Sequence, residues 1–233
     1  GRVLGGYRGR WFQTEWIEGV RIVRSYIYAT AKRGFWPRAW SFGSFCVSAL
    51  GRGLALRGGF DAVYAILPPL TLGVTAAGIA RAKGARLVTN VQDLYPYIAV
   101  ATGYLRNRTA IRFFEAMERW IYRRSERIVV ISEGFRENLL GKGVAAERIT
   151  VVENWADPDQ IRPGERDNAF RRAAGGAGRF LVLYAGGLGH NAAVAPLLAA
   201  AELVQDESFQ FVIVGEGVQK SALEEQARNR GLA

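Results

Sequence analysis

The sequence predicts an α/β protein made of two Rossmann-like domains with parallel sheets, and three observations carry that reading. Apolar runs of four to six residues, rich in Val and Ile, alternate with segments of helical periodicity. Strands of that kind read as parallel and covered on both faces by the helices between them. Near residue 154 a stretch rich in proline and glycine interrupts the alternation, which then resumes.

In chain order, residues 20–28 read as a strand and 40–57 as a helix. Residues 62–80 are apolar for 19 positions, long enough to suggest a membrane span. Pro68-Pro69 divides them, and a helix interior rarely accepts that, so strand 62–67 and helix 71–83 are expected instead. Residues 86–91 form a short apolar strand. In 109–124, Ile111, Phe114, Met117 and Ile121 recur at helical spacing and define one buried face. Strand 128–131, helix 134–142 and strand 149–152 complete a first domain over residues 1–154. Pro158, Pro163 and the Gly175-Gly176-Ala177-Gly178 cluster mark residues 155–178 as a linker. Strand 180–185, helix 192–204, strand 209–214 and helix 218–230 open a second domain over 179–233. Two strands are few for an open sheet, and position 1 is Gly1 rather than Met, so the chain is expected to be an internal fragment.

The net charge of +10 is uneven: residues 1–124 carry 19 Lys/Arg against 6 Asp/Glu, while residues 125–233 carry 12 against 15. Two faces with different partners follow from that asymmetry. Tyr7, Arg8, Arg10, Trp11 and Phe12 cluster, as do Lys32, Arg33, Phe35, Trp36, Arg38 and Trp40. Cations beside indole and phenyl rings suit an anionic membrane surface. A solvated basic face over core aromatics explains them almost as well, and nucleic acid is the weakest of the three readings. Cys46, the one cysteine, lies among Phe45, Val47 and Leu50 and reads as a buried structural thiol of a reducing compartment. With His190 the only histidine, no metal-ligand cluster exists, and neither a metal nor a cofactor is expected.

Ligands of open α/β sheets bind at the carboxyl ends of the strands, so four turns are candidates. Asp93 follows strand 86–91 and either meets a substrate hydroxyl or caps the next turn, with Pro96 setting the backbone. Ser132 and Glu133 follow strand 128–131, where N-capping by Ser132 is the simpler explanation. Gly186, Gly187, Gly189, His190 and Asn191 join a strand to a helix, a setting where free amides favour phosphate as readily as a tight turn. His190 is either a phosphate donor or an exposed loop residue. Gly215 and Glu216 follow the next strand at the same edge, with Glu216 accepting from a sugar hydroxyl or simply starting a helix.

These motifs together resemble a known family. Gln92-Asp93-Leu94-Tyr95-Pro96 is similar to the Arg-Asp-Leu-Trp-Pro signature of bacterial family 4 glycosyltransferases, the type that builds colanic acid, O-antigen and other exopolysaccharides. Pro68-Pro69-Leu70, Glu118-Arg119-Trp120, Ile131-Ser132-Glu133-Gly134-Phe135, Glu153-Asn154-Trp155, Tyr184-Ala185-Gly186 and Val214-Gly215-Glu216-Gly217 fit the same family in order. The resemblance implies a GT-B fold with two Rossmann-like domains. It implies a first domain that takes a polyprenyl-diphosphate-linked or glycan acceptor, and a second that binds a nucleotide-sugar, usually a UDP-sugar. Transfer with retention and without metal is implied, as is a cytoplasmic protein peripheral on the inner face of the plasma membrane. Asp93 then serves as the catalytic residue, with Pro96, Ser132 and Glu133 on the acceptor side of the cleft. Gly186, Gly187, Gly189, His190, Gly215 and Glu216 approach the nucleotide-sugar. The family's first strand is expected before Gly1 and its E-x7-E region beyond Ala233, so this piece is expected to be inactive alone. In the turn after strand 180–185, the family's Gly-Asn is replaced by Gly186-Gly187. A UDP-sugar 2-epimerase of the same fold and a non-catalytic nucleotide-binding or membrane-docking module are the alternatives.

Each basic residue near an anionic bilayer contributes about 1 kcal/mol of attraction. Replacing Arg8, Arg10, Lys32, Arg33 and Arg38 with Ser should therefore sharply lower cosedimentation with anionic liposomes. Unchanged binding would count against a membrane-facing surface.

Overall fold

The structure, a computed structural model, describes residues 11–30, 34–189, 192–204 and 206–232. The chain divides into two compact units, Gly1–Trp155 and Ala156–Ala233. Arg8, Arg10, Lys32, Arg33, His190 and Asn191 lie outside the described residues.

The first unit opens with an antiparallel hairpin, β1 (Phe12–Ile17) and β2 (Val20–Ser25). Glu18 and Gly19 both take positive φ in its two-residue turn, the geometry that matches strand twist in tight hairpins. The strand expected over 20–28 thus ends at Ser25, and a partner strand precedes it. β1 escapes a search for apolar runs because Gln13 and Glu15 interrupt it. Glu15 is held by Arg24 at 2.5 Å on the neighbouring strand. Trp11 stacks on Tyr26 with ring centroids 4.8 Å apart.

Helix α1 spans Phe35–Ala55, starting earlier than the expected residue 40. Pro37 falls in its first turn, where a missing N–H breaks no helical bond. Ser48 donates to Tyr26 O (2.6 Å), and Arg52 sits over the Phe12 ring, so α1 anchors the hairpin. Cys46 is buried on α1 and its thiol donates to Thr71 Oγ1 at 3.4 Å.

A four-stranded parallel sheet follows, in the order β3 (Ala62–Leu67), β4 (Arg86–Val91), β5 (Arg127–Val130) and β6 (Ile149–Val151). Helices α2 (Leu70–Lys83), α3 (Tyr97–Ala101), α4 (Arg108–Arg124) and α5 (Glu133–Gly141) connect the strands, with a single 3-10 turn at Ala146–Arg148 before β6. The 62–80 segment is strand, turn and helix, and no helix among the described residues is long and apolar enough to cross a membrane.

One side of this sheet is buried. Leu67, Val91, Ile128 and Val130 pack with Ile121 and Tyr122 of α4 and Leu139 of α5. Helix α2 approaches α4 so closely that a Cβ on Gly73 would lie 2.8 Å from Ile121 Cδ1. The opposite side departs from the expectation of two covered faces: Tyr64 and Ile66 are more than half exposed, while Ala65 and Leu67 beside them are buried. The reason is that α2, α4 and α5 all contribute to one core on a single side.

Glu118, 1% exposed on α4, is the one carboxylate in that core among the described residues. It accepts from Tyr122 Oη at 3.0 Å and from Lys142 Nζ at 2.7 Å, which pins the end of α5 to α4. A buried charge persists only with such partners.

The second unit contains α6 (Ala169–Ala173), β7 (Phe180–Ala185), α7 (Ala195–Leu203), β8 (Phe209–Val214) and α8 (Lys220–Asn229). β7 and β8 pair in parallel, and Leu188, Val194, Leu198 and Leu223 form the core beside them. The expected linker carries the short helix α6, N-capped by Asn168 Oδ1 accepting from Arg171 N. Helix α7 begins three residues later than expected, with Pro196 in its first turn.

Burial first, and then the charge of Glu118 and the bond to it, hold the Tyr122 phenol proton far above its ordinary range. The unfolded chain releases that proton near pH 10 while the folded chain keeps it. Stability present below pH 10 is therefore lost as pH rises beyond it, by about 1.4 kcal/mol per pH unit. Urea unfolding across the alkaline range should show this slope in the wild type and a shallower one in Tyr122→Phe. Parallel curves would contradict it.

Candidate functional site

In the first unit, the parallel register sets Leu67, Val91, Val130 and Val151 side by side. The chain therefore leaves β3, β4, β5 and β6 at one edge, through Pro68, Gln92, Ile131 and Val152. Backbone bonds continue one step past the strands, Gln92 N to Leu67 O (2.9 Å) and Val152 N to Val130 O (2.8 Å).

A chain of side-chain amides runs to that edge along the uncovered face. Asn154 Nδ2 donates to Gln92 Oε1 (3.0 Å), Gln92 Nε2 to Asn90 Oδ1 (2.9 Å), and Asn90 Nδ2 to Tyr64 Oη (2.7 Å). Each amide group gives its N–H to the next acceptor, so the chain fixes Gln92, the residue before Asp93. Sequence reasoning missed it. Its signal was Asn90 and Gln92, two amides two residues apart at the end of an otherwise apolar run.

Asp93 is exposed, and its carboxylate makes no hydrogen bond or ion pair among the described residues. It does not cap α3; that position belongs to Pro96, which is buried and gives no side-chain bond. The capping explanation for Asp93 therefore fails, leaving its carboxylate turned to solvent at the sheet edge. Two residues on, burial raises the Tyr95 phenol above its ordinary range. Tyr104 adds to that, Arg38 opposes it, and Asp93 adds slightly, so Tyr95 stays a protonated donor at neutral pH. Ser132 caps α5, its Oγ accepting from Phe135 N at 3.4 Å. Glu133 pairs with Arg136 at 3.5 Å on the exposed first turn. Both act within their own helix, and both stand at the same sheet edge as Asp93.

In the second unit the turns after β7 and β8 lie backbone against backbone. A Cβ on Gly215 would fall 2.0 Å from Gly186 O, and one on Gly217 2.2 Å from Leu188 O, so neither position admits a side chain. Leu188 N donates to Glu216 O (2.9 Å), Gln219 N to Leu188 O (3.0 Å), and Tyr184 Oη to Gly187 O (3.0 Å). The N–H groups of Gly187 and Gly189 donate to nothing among the described residues. Glu216 is engaged: its carboxylate meets Lys220 at 2.5 Å, and that bond and charge hold Lys220 above its ordinary range. The i,i+4 spacing of Glu216 and Lys220 was the legible sign of this pairing.

Gly186, Gly187, Gly189, Gly215 and Glu216 thus gather at one edge of the second unit, and Asp93, Pro96, Ser132 and Glu133 at one edge of the first. Among the described residues no three His, Cys, Asp or Glu side chains come together as a metal site.

Known proteins match this picture. WcaI of Escherichia coli K12, named as a colanic acid biosynthesis glycosyl transferase, is 26% identical over 223 residues, covering 92% of this chain and 55% of its own. WbjE of Pseudomonas aeruginosa, named as a glycosyltransferase, is 28% identical over 192 residues, covering 79% of this chain and 48% of its own. The chain thus spans about half the length of these curated relatives. Among solved structures, Anabaena HepE in complex with UDP and glucose is similar at TM-score 0.61 and 17% identity, over 81% of this chain and 48% of HepE. A point mutant of TarM from S. aureus, in a complex that includes UDP, is similar at TM-score 0.52 and 16% identity, over 81% of this chain and 34% of TarM. These likenesses establish the fold as α/β of GT-B type. The glycosyl transferase 4-like domain matches residues 3–155, most of the chain and nearly all of the first unit, and the protein belongs to that family.

Proposed function

We propose that the whole protein is a retaining glycosyltransferase that moves a sugar from a UDP-sugar to a lipid-linked or polysaccharide acceptor in envelope or exopolysaccharide synthesis. The observation that carries this reading is the backbone-lined turn pair of the second unit, set in a chain of the glycosyl transferase 4-like family. Breaking a sugar–phosphate bond leaves negative charge on the departing diphosphate. Amides that donate to nothing among the described residues, such as those of Gly187 and Gly189, can stabilise it without a metal. Gly215 and Gly217 let the turns after β7 and β8 pack backbone against backbone, so that peptide groups rather than side chains are offered at this edge.

On the acceptor side, Asp93 meets the attacking hydroxyl, and the amide chain from Asn154 to Tyr64 steadies the residue before it. The UDP found in HepE and the colanic acid role in the name of WcaI support the donor and the pathway class. The basic, aromatic first unit is assigned to the cytoplasmic side of an anionic membrane, where a lipid-linked acceptor is held.

In the whole protein, Asp93→Ala should lower transfer by about two orders of magnitude or more while leaving UDP affinity unchanged. Normal turnover in that variant would remove Asp93 from the reaction.

A further inference from the structure

At the edge of the second unit opposite its glycine turns lies a cavity of about 500 Å³, the size of a small-ligand pocket. Phe180 pairs with Phe209 at this edge and Ala185 with Val214 at the other. At about 3.3 Å per strand residue, the two edges stand about 17 Å apart. Arg166, Arg171, Arg179, Phe180 and Ser208 line the cavity, and Asp167 is the one carboxylate on its wall.

The local fold brings these arginines together. Gly175 and Gly178 take φ of 69° and 70°, left-handed turns that fold the chain from α6 back into β7. The reversal sets Arg171 against Arg179, whose carbonyl accepts from Arg171 Nη2. Arg179 Nη1 donates to Gln210 Oε1 on β8 at 2.8 Å. Each guanidinium thus commits one of its five N–H groups, and the side chain of Arg166 donates to nothing among the described residues.

Their charge is left uncompensated. Asp167 is taken by Arg172 at 3.1 Å, and the nearby Arg162 pairs with Asp159 at 2.8 Å. No carboxylate among the described residues pairs with Arg166, Arg171 or Arg179. Residues 162–179 carry five arginines against two carboxylates, while the rest of the unit carries three cations against eight carboxylates. The positive charge is therefore concentrated at this cavity in an otherwise acidic unit. Cations that share one space repel one another, and an anion between them reverses the sign of that energy.

The chemistry of the wall narrows the anion. All its cations are arginine, whose planar fork meets phosphate oxygens two at a time. Three forks around a space of this volume fit a chain of phosphates better than a single one. Phe180, 57% exposed on the same wall, offers a ring on which a base can stack.

We propose that this cavity binds an oligophosphate, free or carried by a nucleotide, as a site separate from the edge assigned to the sugar nucleotide. It stands independently of the transfer reaction.

The test is isothermal titration of the whole protein with tripolyphosphate, ATP and citrate. Tripolyphosphate should bind the wild type and lose about ten-fold or more in Arg166→Gln and in Arg179→Gln. Arg166 makes no internal bond among the described residues, so its replacement leaves the fold intact. Arg162→Gln removes the same charge close by but off the wall, and should leave binding unchanged. ATP that binds more tightly than tripolyphosphate, with the difference lost in Phe180→Leu, identifies the ligand as a nucleotide. Equal affinity for the two identifies a free oligophosphate. Tripolyphosphate binding that is the same in the wild type, Arg166→Gln and Arg179→Gln places the anion elsewhere and overturns the proposal. An equal loss in Arg162→Gln, or citrate binding as tightly as tripolyphosphate, reduces the cavity to general charge attraction and overturns it as well.

Discussion

Parallel strands cannot be joined by a tight turn. A chain that leaves β3 at one edge must cross the sheet and re-enter at the other before β4 can begin. Each of the four strands of the parallel sheet, β3 to β6, obeys this, so Pro68, Gln92, Ile131 and Val152 all depart from the same edge in register. That requirement brings together residues as distant in sequence as Gln92 and Asn154, which meet at 3.0 Å. It also sets Asp93 near enough to Tyr95 for its charge to raise the phenol. The buried side supplies the rigidity. Glu118, Tyr122 and Lys142 tie α4 to α5, and Gly73 lets α2 close on Ile121, so the edge is held from behind.

The two units present different chemistry at their edges. In the first, side chains carry it: the Asp93 carboxylate, unpaired among the described residues, the Tyr95 phenol and a run of amides. In the second, the backbone carries it. Gly186 and Gly215 touch at a distance no Cβ could tolerate, and what is offered there is N–H and C=O. Side-chain groups suit an uncharged hydroxyl that must be oriented and relieved of a proton, whereas backbone donors suit the spread charge of a diphosphate.

Much of this is legible in the sequence, for reasons that differ by element. β4, β7 and β8 can be read to the residue because each is a short apolar run with polar or glycine boundaries. β1 cannot, since Glu15 breaks its apolar pattern and its Arg24 partner is visible only once the strands pair. The start of α1 is hidden by Gly34 and Pro37, breakers in a helix interior but harmless at its N-terminal end. Among the candidate residues, capping by Ser132 follows from local rules and holds. The tie between Glu216 and Lys220 needs only the helical spacing. The Asn154 to Tyr64 chain needs the register of the sheet, and no local pattern contains that information.

Sugar transfer by the whole protein is measured directly as turnover against a panel of UDP- and GDP-sugars with and without a lipid-linked acceptor. One UDP-sugar should be consumed only when acceptor is present, releasing UDP and a product of unchanged anomeric configuration by NMR. Consumption without acceptor that yields an epimerised UDP-sugar, or no consumption of any donor, would contradict it.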